Sequence, residues 1–321
     1  MLFHKNRIGV TMQNLYWKTE NETRVLVENP FQSEIDMEKY LFSNQDLLGD
    51  VSIIYRQVKT GQKKGIPDMI GVDQDARICI IELKNHMADE DILPQVLGYA
   101  IWAETNPDSI KAIWLESKQK PEDIKIDWDK LDIRVILVAP TFKITVPRMA
   151  SKIGYPIDLI QIHRYSFNEN EFLSVEFLEE PAPSKISTTK GITSWDWEYY
   201  EKEHGEEATK QFKKAVEAVE NFTKKHGWRL PYNINKYYTG FKLGNKVLFS
   251  VTWGGTYAWK MKFKISKDFA ENFKGEKWEF QIYDNSFHEA VFKPLNPNEI
   301  DIQELEPLFI EAYKKYLVPS R

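Results

Sequence analysis

Apolar positions along this chain recur with two spacings, and these divide it into strands and helices. Met69 to Asp73 and Arg77 to Lys84 are Ile- and Val-containing runs separated by the polar Gln74-Asp75-Ala76, a pattern that predicts a β-hairpin with a three-residue loop. Two helices flank it. One starts at Ser33, where Ser33-Glu34-Ile35-Asp36 resembles a capping box, and continues through Phe42. The other runs from Asp91 to Trp102, with Pro94 tolerable only near the start. Upstream, Ile8 to Thr11 and Arg24 to Val27 predict two strands before the Asn29-Pro30 break. Downstream, Ile110 to Glu116 and Ile133 to Ala139 read as buried strands, although the first is short enough to be helical. Thr145 to Ile153 reads as helix, and Leu159 to Tyr165 and Glu171 to Phe177 as strands. This alternation predicts an α/β domain whose mixed sheet is flanked by helices, over residues 1–180.

The pattern changes after Glu179. Residues 181–191 are rich in Pro, Ser and Thr and read as a linker. In residues 192–321, Glu206 to His226 is an amphipathic helix, with Phe212, Ala215, Val216, Val219 and Phe222 on one stripe and Gly227 as its stop. Tyr237 to Lys242, Lys246 to Thr252 and Trp278 to Tyr283 read as strands, and Ile302 to Leu317 as a closing helix. Between them Tyr257, Trp259, Met261, Phe263 and Ile265 alternate with Lys260, Lys262 and Lys264, so one strand face is greasy and the other a row of ammonium groups. A second, smaller α+β domain is expected.

Composition narrows the classes. A length of 321 residues favours two domains, and 42% apolar with 13% aromatic residues is ample for two packed cores. No apolar run approaches the length of a membrane span, and Met1 to Asn6 lacks the core of a signal peptide, so a cytoplasmic protein without membrane partners is expected. Cys79 alternates with Ile78 and Ile80 and reads as a small buried residue. No glycine-rich phosphate loop ending in Lys-Ser or Lys-Thr is present. His4, His86, His163, His204, His226 and His288 show no zinc spacing. Net charge is −5, split as +2 from Lys190 onward (21 basic against 19 acidic residues) and −7 before it, so any contact with phosphate needs local cations. Lys63 and Lys64 are one candidate, with a merely solvated loop equally compatible. Lys260, Lys262 and Lys264 are the other; there the alternative is an edge strand guarded against pairing.

Candidate chemistry sits in the hairpin. If Asp73 pairs with Arg77, Asp68 falls opposite Glu82, and like charges so placed repel at a Cβ separation of roughly 5 Å. Lys84 shares the parity of Glu82. Two carboxylates beside one amine suit a hard cation such as Mg²⁺ or Mn²⁺. Gln95, Tyr99 and Trp102 lie on one helical stripe, and Glu34 and Glu38 stand one turn apart on a common side, so periodicity alone leaves open which of them joins the site.

Pro67-Asp68 and Glu82-Leu83-Lys84 within residues 31–116 resemble the motif of the PD-(D/E)xK nuclease superfamily. Gln95-x-x-x-Tyr99 is similar to the QxxxY element of its RecB-like branch, and the order of elements resembles the nuclease domain of NucS-type endonucleases. The resemblance implies a restriction-endonuclease-like core and a metal-dependent nuclease acting on DNA, with endonuclease action favoured and a role in repair or defence. Asp68, Glu82 and Glu34 would ligate Mg²⁺ or Mn²⁺, Lys84 would serve the attacking water and the phosphate, and Gln95 and Tyr99 would support them. The other reading is a nuclease-like protein that binds nucleic acid or a protein partner without cutting. A homodimer is left open.

Overall fold

The computed structural model describes residues 15–18, 20–56, 66–178, 195–255 and 258–317. Its first half contains, in chain order, β1 (Tyr16–Lys18), β2 (Thr23–Val25), β3 (Val27–Glu28), α1 (Glu34–Ser43), β4 (Val51–Arg56), β5 (Met69–Asp73), β6 (Ile78–Leu83), α2 (Ile92–Thr105), α3 (Pro107–Glu116), β7 (Ile133–Ala139), α4 (Thr145–Ala150), β8 (Ile157–Phe167) and β9 (Asn170–Leu178). A seven-stranded mixed sheet has the order β3-β8-β7-β6-β5-β4, with β9 added to β8. Its centre, β6, β7 and β8, is parallel, and the flanking pairs are antiparallel. Continuous apolar runs suit central strands that are covered on both faces. Ile78 and Ile80 of β6 join a core with Val96 and Ala100 of α2, while Cys79, Ile81 and Leu83 join one with Met37 and Leu41 of α1.

Within the hairpin Met69 faces Ile81 and Ile70 faces Ile80, the register that places Asp68 toward Glu82. Asp73 fixes the loop. Its Oδ1 accepts from the N–H groups of Asp75 and Arg77, both at 3.0 Å, and these bonds hold Ala76 at φ 61°, a left-handed conformation that glycine adopts more readily. Ile110 to Glu116 is helical, not a strand. Pro107 opens α3, and Ile110, Ile113 and Trp114 recur at helical spacing against the α2 core. The strand expected over Ile8 to Thr11, the linker at 181–191, and Lys63 and Lys64 lie outside the described residues.

The second half contains α5 (Trp197–His204), α6 (Glu206–Lys225), β10 (Tyr232–Ile234), β11 (Tyr238–Leu243), β12 (Lys246–Trp253), β13 (Trp259–Phe263), α7 (Lys267–Asn272), β14 (Trp278–Asp284), β15 (Glu289–Pro294) and α8 (Glu306–Leu317). Six antiparallel strands, ordered β10-β11-β12-β13-β15-β14, form its sheet. Phe212, Val216 and Val219 of α6 and Phe309 of α8 pack onto Phe249, Met261 and Phe263 on one face. Helix α5 and strand β15 were not foreseen from the pattern. No helix among the described residues is long and apolar enough to cross a membrane.

The opposite face corrects the expectation for the lysine row. Lys262 and Lys264 are buried, each about 6% exposed, because that face meets the first half of the chain instead of solvent. Lys262 Nζ lies 3.5 Å from Asp123 and 3.9 Å from Glu289, and Lys264 Nζ lies 3.5 Å from both Asp50 and Glu289. Neither is available to a phosphate backbone. Lys260 is half-buried, its stem packed over Gly254, where an added Cβ would come within 2.8 Å of it. Glu289 also accepts from Gln74 Nε2 at 2.6 Å, so the seam grips the tip of the β5–β6 hairpin. Replacing Glu289 by Ala would leave two buried ammonium groups short of a partner. We expect Glu289→Ala to lower unfolding free energy by about 3–5 kcal/mol in urea denaturation, and a loss below about 1 kcal/mol would contradict this account of the seam.

Candidate active site

The end of β6 and the residues just before β5 bring the hairpin's charges together. Asp68 and Glu82, 5% and 3% exposed, are carried on the side of the sheet that α2 covers. Asp68 Oδ2 accepts from the backbone N–H of Leu83 at 2.9 Å, which ties the carboxylate to the opposite strand. Glu82 Oε1 accepts from Lys84 Nζ at 2.8 Å and from Gln95 Nε2 at 2.6 Å. Gln95 Nε2 also lies 2.9 Å from the Tyr99 hydroxyl as donor. Thus the i, i+4 pair on α2 reaches the hairpin as one unit. Trp102 stays with the core beneath it.

The electrostatics follow from burial. Desolvation, and then the charge of Asp68, push the Glu82 carboxyl up to about 7, against the hydrogen bond and charge of Lys84. Burial works against the Lys84 ammonium, but the hydrogen bond and charge of Glu82, with the charges of Glu34 and Asp68, outweigh it and raise its pKa above the ordinary value. Lys84 therefore keeps its proton. A carboxyl with a raised folded-state pKa contributes stability at low pH that is lost as pH rises through about 7, so the ionised Glu82 needs further positive charge. Its second oxygen, Oε2, is buried with no hydrogen-bond partner.

These features decide whether a metal fits. An orphaned buried carboxylate oxygen beside a second buried carboxylate is a donor set for a hard divalent ion, and Mg²⁺ is commonly held by one or two carboxylates with water and phosphate oxygens completing the shell. Among the described residues no group of three or more His, Cys, Asp and Glu side chains is placed to enclose an ion. Glu34 reaches the centre through Lys84, with 3.8 Å between Nζ and Oε1.

The two glutamates on α1 have different surroundings. Ser33 caps the helix by accepting from Asp36 N–H at 3.1 Å, and this sets Glu34 in the first turn beside Lys84. Glu38, one turn on, is buried and faces Arg56 Nε at 3.4 Å. Arg56 in turn lies over the Phe42 ring at 4.8 Å. Strand spacing gave no sign of that partner. His86 is exposed, and its ring contacts Asn85 at 3.3 Å, outside the carboxylate pair.

No protein-family model and no curated protein matches the chain. Among solved structures it is similar to the EndoMS–double-stranded DNA complex, with 18% identity over 50% of this chain and 71% of that one and a TM-score of 0.29. It is also similar to a repair endonuclease from Pyrococcus abyssi, at 22% identity over the same shares and a TM-score of 0.27. EndoMS in its apo form gives 19% identity over 40% and 45% of the two chains, with a TM-score of 0.25.

The two glutamates should separate in stability. Glu38→Gln removes one charge from a buried pair and should cost about 1–3 kcal/mol in thermal or urea denaturation, whereas Glu34→Gln at the half-exposed end should change stability by less than about 1 kcal/mol. Equal losses would contradict the assignment of Glu38 to a structural ion pair.

Proposed function

We propose that this chain is a divalent-cation-dependent nuclease that hydrolyses phosphodiester bonds, with DNA as the favoured substrate. The observation that carries this reading is the Asp68–Glu82 pair, two buried carboxylates on one face, with Glu82 Oε2 lacking a partner and Lys84 fixed 2.8 Å from Oε1. A pair of this kind has no structural use without a cation, because each charge raises the cost of burying the other. The preference for DNA rests on the resemblance of residues 31–116.

Asp68 and Glu82 would hold Mg²⁺ or Mn²⁺, which when bound acidifies a ligated water and offsets charge on the scissile phosphate. The chain's own groups have distinct tasks. The Leu83 N–H keeps Asp68 turned toward the pair, and Gln95, with Tyr99 beside it, fixes the rotamer of Glu82. Lys84, whose pKa is raised, acts as a compact positive charge for the developing phosphorane and for positioning water, not as the group that accepts the water's proton. Glu34 holds the ammonium from the far side.

Asp68→Ala, Glu82→Ala and Lys84→Ala should each reduce Mn²⁺-dependent cleavage by on the order of 100-fold or more, while DNA affinity measured without metal survives. Glu34→Gln should lose most of the activity and Glu38→Gln should keep much of it, assayed below the melting temperature of either variant. Normal cleavage by Lys84→Ala, or no cleavage by the wild type on single-stranded, duplex, flapped or mismatched DNA, would overturn the proposal.

A further inference from the structure

A second polar site lies away from the carboxylate pair, in the seam between the two halves. A cavity of 460 Å³ opens between the segment that follows α1 and the β14–β15 turn, and Lys118, Lys246, Lys264, Asn285 and His288 contribute to its wall. Its size falls in the range of small-molecule sites, which occur preferentially where two folded units meet.

The wall combines lysine ammonium groups with neutral amides and hydroxyls, which can both donate and accept. Lys118 has no ion pair among the described residues, and neither Asn285 nor His288 makes a side-chain hydrogen bond to any described residue. Among the described residues Asp46 is the one carboxylate on the wall, and it faces Lys246 at 3.3 Å. Lys264, buried behind it, donates to the carbonyl of Phe287 at 3.1 Å and so stiffens the turn that presents His288. His288 itself sits at φ 52°, a left-handed conformation uncommon for a side chain of its size. Positive charge is crowded here: burial lowers the pKa of nearby Lys315, Asp46 works against that, and the charges of Lys264 and Lys246 lower it further.

We infer that this cavity binds a small phosphate-bearing anion, which Lys118 and Lys246 clamp and Asn285 and His288 complete. The Lys118 and Lys246 ammonium groups, with the Asn285 and His288 side chains beside them, match an oxygen-rich anion with several acceptors, while Lys264 is held by Asp50 and Glu289 and only braces the wall. An apolar ligand would leave those donors unpaired, and a cation would meet like charge. Half-buried Phe42 on the same wall offers a ring to a base, so both a free phosphate and a nucleotide fit the chemistry. This site does not depend on the nuclease reading.

Calorimetric titration of the full chain in EDTA, with pyrophosphate and with ADP as probes, tests it. EDTA keeps metal-bridged phosphate off the Asp68–Glu82 pair. One site per chain is expected, with affinity that falls as salt rises. The Lys118→Gln, Lys246→Gln double variant should bind at least about tenfold more weakly, and Lys84→Gln should bind as the wild type does. Both lysines of the double variant are at least partly exposed, and a melting curve checks that it folds. ADP binding more tightly than pyrophosphate assigns a nucleotide; equal affinities assign the phosphate alone. No heat with either probe, binding unchanged in the double variant, ADP bound with pyrophosphate refused, or binding lost in Lys84→Gln would each overturn the proposal.

Discussion

Two carboxylates buried on one face of a hairpin repel each other, and at an effective dielectric near 20 and a separation of roughly 5 Å the repulsion amounts to about 3 kcal/mol. Everything around Asp68 and Glu82 answers that charge. The Leu83 N–H offers positive polarity to Asp68 Oδ2, the Lys84 ammonium and the Gln95 amide both offer it to Glu82 Oε1, and Glu82 Oε2 is left over. The sheet cannot relax the pair apart, because β5 and β6 are buried along their length and β6 is locked in parallel register to β7. The repulsion is thus built into the centre of the fold, where the proposed divalent ion would relieve it.

The polar seam extends this constraint. The hairpin that ends in Asp68 and Glu82 begins at a loop that the second half of the chain holds by side-chain contacts, Gln74 to Glu289 and the Tyr237 N–H to Asp75. Burial and the neighbouring charge of Asp73 push Asp75 up to about 7, against the pull of Arg77, so this end of the hairpin also carries charge held away from water. Buried groups of this kind need counter-charges, and Lys262 and Lys264 both share Glu289, whose Oε2 makes no hydrogen bond.

Much of the site was legible because side-chain parity in a strand is strict. Once Gln74-Asp75-Ala76 is taken as the loop, the facing of Asp68 and Glu82 and the shared stripe of Gln95 and Tyr99 follow from periods of two and 3.6, while the reach of Gln95 to Glu82 was implied only by the family resemblance. What parity cannot give is the neighbour of a polar face. The alternation separates greasy Met261 and Phe263 from Lys262 and Lys264, yet a lysine face against solvent and one against carboxylates from the first half of the chain have the same pattern. Likewise, an apolar run as short as Ile110 to Glu116 fits either period, and only packing of Ile110 and Trp114 against α2 selects the helix. Periodicity likewise puts Glu34 and Glu38 on one side of the helix and cannot show that Arg56 stands beside the second of them.

Anomalous diffraction from a crystal soaked in Mn²⁺ tests the central claim most directly. The account predicts one strong manganese peak between Asp68 and Glu82, with Glu82 Oε2 among its ligands at roughly 2.0–2.3 Å. A map in which manganese is absent from that pair, or binds only elsewhere on the chain, would contradict it.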